Sequence, residues 1–184
     1  MAKQFDEITE DHRNFIAAQH LFFCGTAADE GRVNVSTKGM DTLKVLGPNR
    51  IIWQNWTGSG NETAAHLARI NRMTLMWCGF EKRPLVLRIY GNARTLHPRD
   101  ADFAPLNDQF PPTHGARQVF DMTVDLVQTS CSWGIPFYEH KGSRDVLKDY
   151  TEGKGAEGIR TSWEKNRASI DGLPTHIFDE TPDA

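Results

Sequence analysis

The chain has 184 residues, a formal net charge of -3 and 39% apolar residues, which fits one compact domain over residues 1–184 with a sizeable core. A nucleic-acid-binding face would need a basic surplus, so DNA and RNA are not expected as partners. Three widely separated cysteines suit neither a disulfide framework nor a CxxC zinc site, and they indicate a reducing, cytoplasmic setting. The sequence shows neither a signal-peptide core nor the ~20 apolar residues of a membrane span, so no membrane association is expected.

Short apolar or alternating runs predict seven β-strands in the first two thirds of the chain. They are HLFFCGTA (20–27), RVNVST (32–37), TLKVL (42–46), RIIWQNW (50–56), MTLMWCGF (73–80), PLVLRIYGNARTL (84–96) and RQVFDMTVDLVQTSCSW (117–133). The connectors DEGR and GPNR contain turn-forming residues, which predicts antiparallel pairing. The pattern indicates a mainly β barrel or sandwich.

Helical spacing predicts three helical segments at the edges of this β body, within residues 61–72, 98–110 and 143–169. From about residue 139 the chain is charged, interrupted by glycines and prone to form helices. We interpret this part as a C-terminal helical extension whose acidic tip is expected to fray.

The stretch WTGSGNET (56–63) connects a predicted strand to a predicted helix. Ser59 and Glu62 have the spacing of a capping box, which would make the stretch a well-formed helix start. The same free amides, together with donors from Ser59, Asn61 and Thr63, could instead hold a phosphate. Both interpretations can hold at once, and a phosphate would then need a cation from elsewhere.

Lys38 is the nearest cation in sequence, and Gly39 after it could adopt a positive φ that lets the backbone approach a ligand. A lysine solvated in a turn is the simpler interpretation. The strand IIWQNW would place Trp53 and Asn55 on one face and Gln54 and Trp56 on the other. Such a strand could line a large ring, although core packing explains the tryptophans equally well.

The stretch TSCSWGIPFYEH (129–140) breaks a strand with Gly134 and Pro136 and concentrates aromatic residues around Trp133. It could be a buried bend, an aromatic flap over a site, or a subunit contact. The histidines form no HxxH or HExxH pair, so no metal site is predicted. No general acid or base stands out, and the catalytic residues are left unassigned.

Taken in order, RVNVSTKG, the run from GPNR to CGF, LVLRIYGNARTL, SCSWGIPFYE and KNRASIDGLPT resemble the FMN-binding split-barrel family of pyridoxamine 5'-phosphate oxidase-like proteins. The resemblance covers most of the chain. It implies a six-stranded antiparallel split β-barrel (α+β, mainly β) with flanking helices, a homodimer, and FMN in a groove at the dimer interface.

By the resemblance, the cofactor-binding residues lie on two strands, on the turn after the second strand, and at Trp133. The strand NVSTKG would lie beside the flavin and its ribityl chain, WQNW beside the ring, and SGNET at the phosphate. The implied residues are Asn34, Val35, Ser36, Thr37, Lys38, Gly39, Gln54, Asn55, Ser59, Asn61, Glu62, Thr63 and Trp133.

One departure from the family pattern concerns the phosphate. Pyridoxamine 5'-phosphate oxidases proper carry an Arg-Lys pair in this turn, where this chain has Thr63, Ala64 and Ala65. The C-terminal basic motif for the substrate phosphate is not recognisable either, which argues against pyridoxamine phosphate as substrate. Lys38 or an arginine from another strand would have to supply the charge.

The resemblance implies an FMN-dependent oxidoreductase acting on a small molecule, with NADH or NADPH as a possible electron donor. The alternative is a binding protein of the same fold that holds flavin, F420 or heme without turnover. A dimeric structural or regulatory protein with a vestigial pocket is a third, weaker interpretation.

Overall fold

The computed structural model describes residues 2–180. The acidic tip of the predicted extension lies largely outside them. The described part contains eight strands: β1 (Lys3–Phe5), β2 (Phe22–Thr26), β3 (Asn34–Lys38), β4 (Leu43–Gly47), β5 (Arg50–Trp56), β6 (Arg72–Cys78), β7 (Leu85–Leu96) and β8 (Ala116–Cys131). All seven predicted strands are confirmed, and β1 is the one that the sequence patterns did not indicate.

The strands form one antiparallel sheet in the order β3-β2-β6-β7-β8-β5-β4, with β1 added beside β8. β8 is 16 residues long, so its first half pairs with β5 while its last part pairs with β1. This extra pairing is one reason why the sheet has eight strands instead of the six that the resemblance implied. The fold is the expected mainly β split barrel with flanking helices.

The barrel is filled by large apolar side chains from its central strands. Trp53 is 1% exposed, and its ring lies 4.5 Å from that of Phe120. Trp53 is therefore a core residue, as the simpler interpretation of this strand held. Trp56, by contrast, is only partly buried and faces a cavity.

Four helices surround the sheet: α1 (Glu10–Ala17), α2 (Glu62–Arg69), α3 (Phe103–Asn107) and α4 (Val146–Ser162). α2 and α3 are shorter than the segments predicted for them, and α1 was not predicted. α4 is interrupted at Gly155, whose φ is 64°, and a 3₁₀ helix, Trp163–Asn166, follows it. Across residues 2–180, no helix is both long and apolar enough to cross a membrane.

Candidate cofactor site

A cavity of about 950 Å³ opens between the edge of the barrel and the C-terminal segment, within the ~300–1,000 Å³ of typical small-molecule sites. It is lined by residues of β3 and the following turn, β5, the connection from β5 to α2, β8, and residues 165–170. Of the sequence-predicted residues, eleven line it: Asn34, Ser36, Thr37, Lys38, Gly39, Gln54, Asn55, Ser59, Asn61, Glu62 and Thr63.

Val35 and Trp133 do not line this cavity. Val35 is 68% exposed because side chains alternate along β3, which places it on the face opposite Ser36. Trp133 is 86% exposed and lies after the end of β8. The buried-bend interpretation of this segment is therefore wrong, because the strand ends before Trp133 and its ring remains at the surface.

β3 brings polar groups to the cavity and leaves backbone groups available. It is the terminal strand of the sheet, hydrogen-bonded to β2 alone, so one of its edges carries unpaired N–H and C=O groups. The buried Oγ of Ser36 has no hydrogen-bond partner in the described part of the chain. The expected positive φ is not at Gly39, because the left-handed residues of this turn are Met40 (64°) and Asp41 (54°).

Lys38 points inward, so the expectation of a lysine solvated in a turn is wrong. Its Nζ lies 5.2 Å from the centroid of the Trp53 ring, within reach of a cation–π interaction. Burial lowers the pKa of Lys38, and the positive charge of Arg117 acts in the same direction. Among residues 2–180, no carboxylate lies within 4.0 Å of its ammonium group.

Gln54 and Asn55 both line the cavity, and each belongs to a separate group of side-chain hydrogen bonds. Gln54 accepts a hydrogen bond from Trp56 Nε1 at 2.7 Å and donates to Asn107 at 2.9 Å. Asn55 donates to Gln118 at 2.9 Å. These bonds fix the orientation of both amides, and they hold the Trp56 indole at the cavity wall.

The start of α2 is built differently from the predicted capping box. The N-cap residue is Asn61, no side chain caps the helix, and Glu62 is its first residue instead of its third. Both carboxylate oxygens of Glu62 accept from the backbone N–H of Ile170 at 3.1 Å. The Glu62 carboxylate, which the predicted capping box would have required, is therefore hydrogen-bonded to the C-terminal segment. The amides of the first turn of α2 have no intrahelical acceptor.

Two further donors belong to this turn. The buried Nδ2 of Asn61 has no partner within residues 2–180, while its Oδ1 lies 3.5 Å from Asn55 Nδ2. Thr63 Oγ1 accepts from Asn34 Nδ2 at 3.4 Å, and its hydroxyl also interacts with the Cys24 thiol, which is a weak acceptor that a stronger one can replace. Because it combines free amides with unpaired donors, this end of the cavity suits an anion.

The structure adds Arg117, which the sequence patterns did not single out. It lies on β8, is 2% exposed and lines the cavity. Its guanidinium donates at 3.0 Å to Asn166 Oδ1 and at 3.0 Å to the Gly60 carbonyl. Burial lowers the pKa of Arg117 to about 10. In the sequence, Arg117 is the first residue of the predicted strand 117–133 and is followed by Gln118, so no local signal set it apart from a surface arginine.

The segment after α4 closes the cavity at the turn between β5 and α2. Trp163 Nε1 donates to Thr57 Oγ1 at 3.1 Å, and Asn166 Nδ2 donates to the Ser59 carbonyl at 3.2 Å. Among residues 2–180, no group of three or more His, Cys, Asp or Glu side chains is arranged to hold a metal ion.

Comparison with known proteins gives a consistent result. The sequence profile described as pyridoxamine 5'-phosphate oxidase matches residues 8–131. The chain is similar to the pyridoxamine 5'-phosphate oxidase family protein ustO of Aspergillus flavus, with 28% identity over 92% of this chain and 76% of that protein.

Two solved structures share the fold. One is a putative pyridoxamine 5'-phosphate oxidase from Lactobacillus delbrueckii (TM-score 0.53, 18% identity, 67% of this chain and 94% of that one). The other is HupZ from Group A Streptococcus (TM-score 0.50, 16% identity, 65% and 91%). With its profile match spanning most of the barrel, the chain belongs to the pyridoxamine 5'-phosphate oxidase family.

Proposed function

We propose that this protein is a flavin-dependent oxidoreductase that binds FMN in the cavity between β3, β5 and the C-terminal segment. The observation that carries the proposal is a set of buried donors without a partner in residues 2–180, on three residues that line this cavity: Ser36 Oγ, Asn61 Nδ2 and Arg117 Nε. Leaving such groups buried without a partner is costly, so a ligand rich in acceptors would stabilise them. Membership of the family supports the same conclusion.

The residues present fit FMN at both ends. The phosphate would lie at the turn that contains Ser59, Asn61 and Thr63, where first-turn amides of α2 are free. The ring and ribityl chain would lie along the edge of β3, with Lys38 and the Trp56 indole beside them. The flavin, when bound, would supply hydride transfer through its N5 atom.

The protein's own contribution would be orientation and electrostatics. The hydrogen bonds from Gln54 to Asn107 and from Asn55 to Gln118 restrain two side-chain amides that line the cavity, and rigid polar groups position a cofactor better than mobile ones. The desolvated ammonium of Lys38 would stabilise negative charge that develops on a neighbouring ligand. The substrate is a small molecule, and NADH or NADPH is the proposed electron donor.

The test is the visible absorption spectrum of the purified protein, followed by anaerobic addition of NADH or NADPH. We expect the two bands of oxidised flavin and their bleaching on reduction. If the bands of oxidised flavin persist after addition of NADH and of NADPH, the result would favour a protein that binds flavin but is not reduced by either donor. A heme or F420 spectrum would show that the bound cofactor is heme or F420 instead of FMN. A colourless protein that takes up no FMN would contradict the proposal.

We also propose that the protein functions as a homodimer. Trp133 and Phe137 are 86% and 85% exposed, and Tyr138 is 63% exposed, so the segment presents an aromatic surface that a symmetric partner could cover. Sedimentation equilibrium at micromolar concentration with FMN present tests this proposal. A monomer under those conditions would contradict it.

A further inference from the structure

Arg117 has an unusual environment for a buried cation. Its two described hydrogen bonds go to neutral acceptors, the Asn166 side chain and the Gly60 carbonyl, and its Nε has no partner within residues 2–180. Because a guanidinium has five N–H donors, these two bonds leave most of them free. A buried charge without a counter-charge is strongly destabilising.

The described residues that line the cavity do not provide that counter-charge. Glu62 is the one acidic residue among them, and its carboxylate accepts from the Ile170 backbone. Lys38 adds a second cation that lies within electrostatic range of Arg117. Two inward-facing cations without a paired carboxylate in residues 2–180 indicate that the missing negative charge comes from the ligand.

We propose that Arg117 binds the phosphate of the cofactor, and that Asn166 is the positioning residue that holds its guanidinium against the turn between β5 and α2. This inference rests on the proposed function. Asn166 contacts both components, since it accepts from Arg117 and donates to the Ser59 carbonyl. The Arg-Lys pair that the turn lacks is thereby replaced by a cation from β8, fixed by the C-terminal segment.

The chemistry of arginine suits this role. Its planar guanidinium can donate two parallel hydrogen bonds to phosphate oxygens, and such charge-assisted bonds are stronger than neutral ones. The position of Asn166 is itself fixed, because its backbone carbonyl accepts from Thr175 Oγ1 at 2.6 Å. Residues 166 and 175 both lie beyond the family profile match, which ends at residue 131, so this support comes from the C-terminal segment.

The experiment is a titration of the flavin-free 184-residue chain with FMN and, separately, with riboflavin, which lacks the phosphate. For Arg117→Met we expect FMN affinity to fall about tenfold to a hundredfold, while riboflavin affinity stays nearly unchanged. Arg117→Lys keeps the positive charge but lacks the planar guanidinium, so its FMN affinity should fall less than that of Arg117→Met. Arg72→Met is the matched control, since Arg72 is exposed and lies outside the cavity.

Asn166→Asp tests the positioning residue, and it also provides a second test of the inference if Arg117→Met does not fold. A carboxylate in place of the Asn166 amide would neutralise the guanidinium, so FMN should bind about tenfold more weakly with riboflavin unaffected. Equal losses for both ligands in the folded variants, or no loss, would overturn the inference. Failure of the unmodified chain to bind either ligand would instead overturn the proposed function on which the inference rests.

Discussion

Thr63→Val probes the phosphate end of the cavity with the least change of shape. Valine has nearly the same volume as threonine, and the side chain is only 6% exposed, so packing should be largely kept. The change removes one hydroxyl donor to a charged group, a loss of about 1.5–3 kcal/mol. FMN should therefore bind about tenfold to a hundredfold more weakly.

The same change has a second effect that must be separated from the first. Thr63 Oγ1 accepts from Asn34 Nδ2, so valine leaves that amide without this acceptor, which costs about 0.5–1.5 kcal/mol. That cost affects the fold and both ligands in similar measure. The ratio of FMN affinity to riboflavin affinity removes it, and this ratio is the quantity to measure by fluorescence titration.

Combining Thr63→Val with Arg117→Met sharpens the test. If both side chains bind one phosphate, their effects on FMN binding should be non-additive, whereas independent sites add to within about 0.5 kcal/mol. A Thr63→Val protein whose affinities for FMN and riboflavin fall equally would refute the assignment of the phosphate to this turn. The turn would then be only a helix start.

Three further outcomes are expected. Gly91→Ala should destabilise the fold by about 1–3 kcal/mol, because a Cβ there would clash with the Thr123 carbonyl oxygen. Urea unfolding measures this loss, and Gly134→Ala is the control because a Cβ there meets nothing within 4 Å. Burial lowers the pKa of His97 from 6.5 to about 4, so the unfolded chain takes up the proton at a higher pH than the folded one. Stability is therefore lost as the pH is lowered from 6.5 to 4, by at most about 1.4 kcal/mol per pH unit. His97→Gln should flatten this dependence, and an unchanged slope would contradict the reasoning. Trp133→Ala should weaken self-association, and because a weaker dimer stabilises the folded state less, the thermal midpoint of unfolding should fall most at low protein concentration, as sedimentation and calorimetry can check.

The strands were predictable because their signals are local. Alternation and continuous apolar runs of five or more residues marked seven of them. β1 has only three residues and depends on its pairing with β8, which no local pattern reveals. α1 did carry a local signal, since Thr9 caps it and two acidic residues follow in its first turn, but its apolar face is narrow.

Most of the predicted residues on β3 and around the turn after β5 line one cavity. Their proximity was predictable because the order of segments resembles a family whose fold brings these segments together. Details of their geometry were not predictable in the same way. The spacing of Ser59 and Glu62 satisfies a capping box, yet the Glu62 carboxylate accepts from Ile170, 108 residues further along the chain. A tertiary contact thus overrode a local motif.

The capping box was a local motif that the structure did not form, whereas the buried cation Arg117 is a feature that no local motif announced. The sequence offered Lys38 or an unspecified arginine from another strand, and an arginine in a strand resembles many surface arginines. What makes Arg117 a candidate is its environment: a 2% exposed guanidinium, neutral acceptors on two sides and an unpaired Nε. These properties arise only when β8 and the segment around Asn166 meet the turn between β5 and α2. The proposed phosphate site combines three distant parts of the chain, so it leaves no spacing signature in the sequence. Unpaired buried donors can point to such a site once the fold is known.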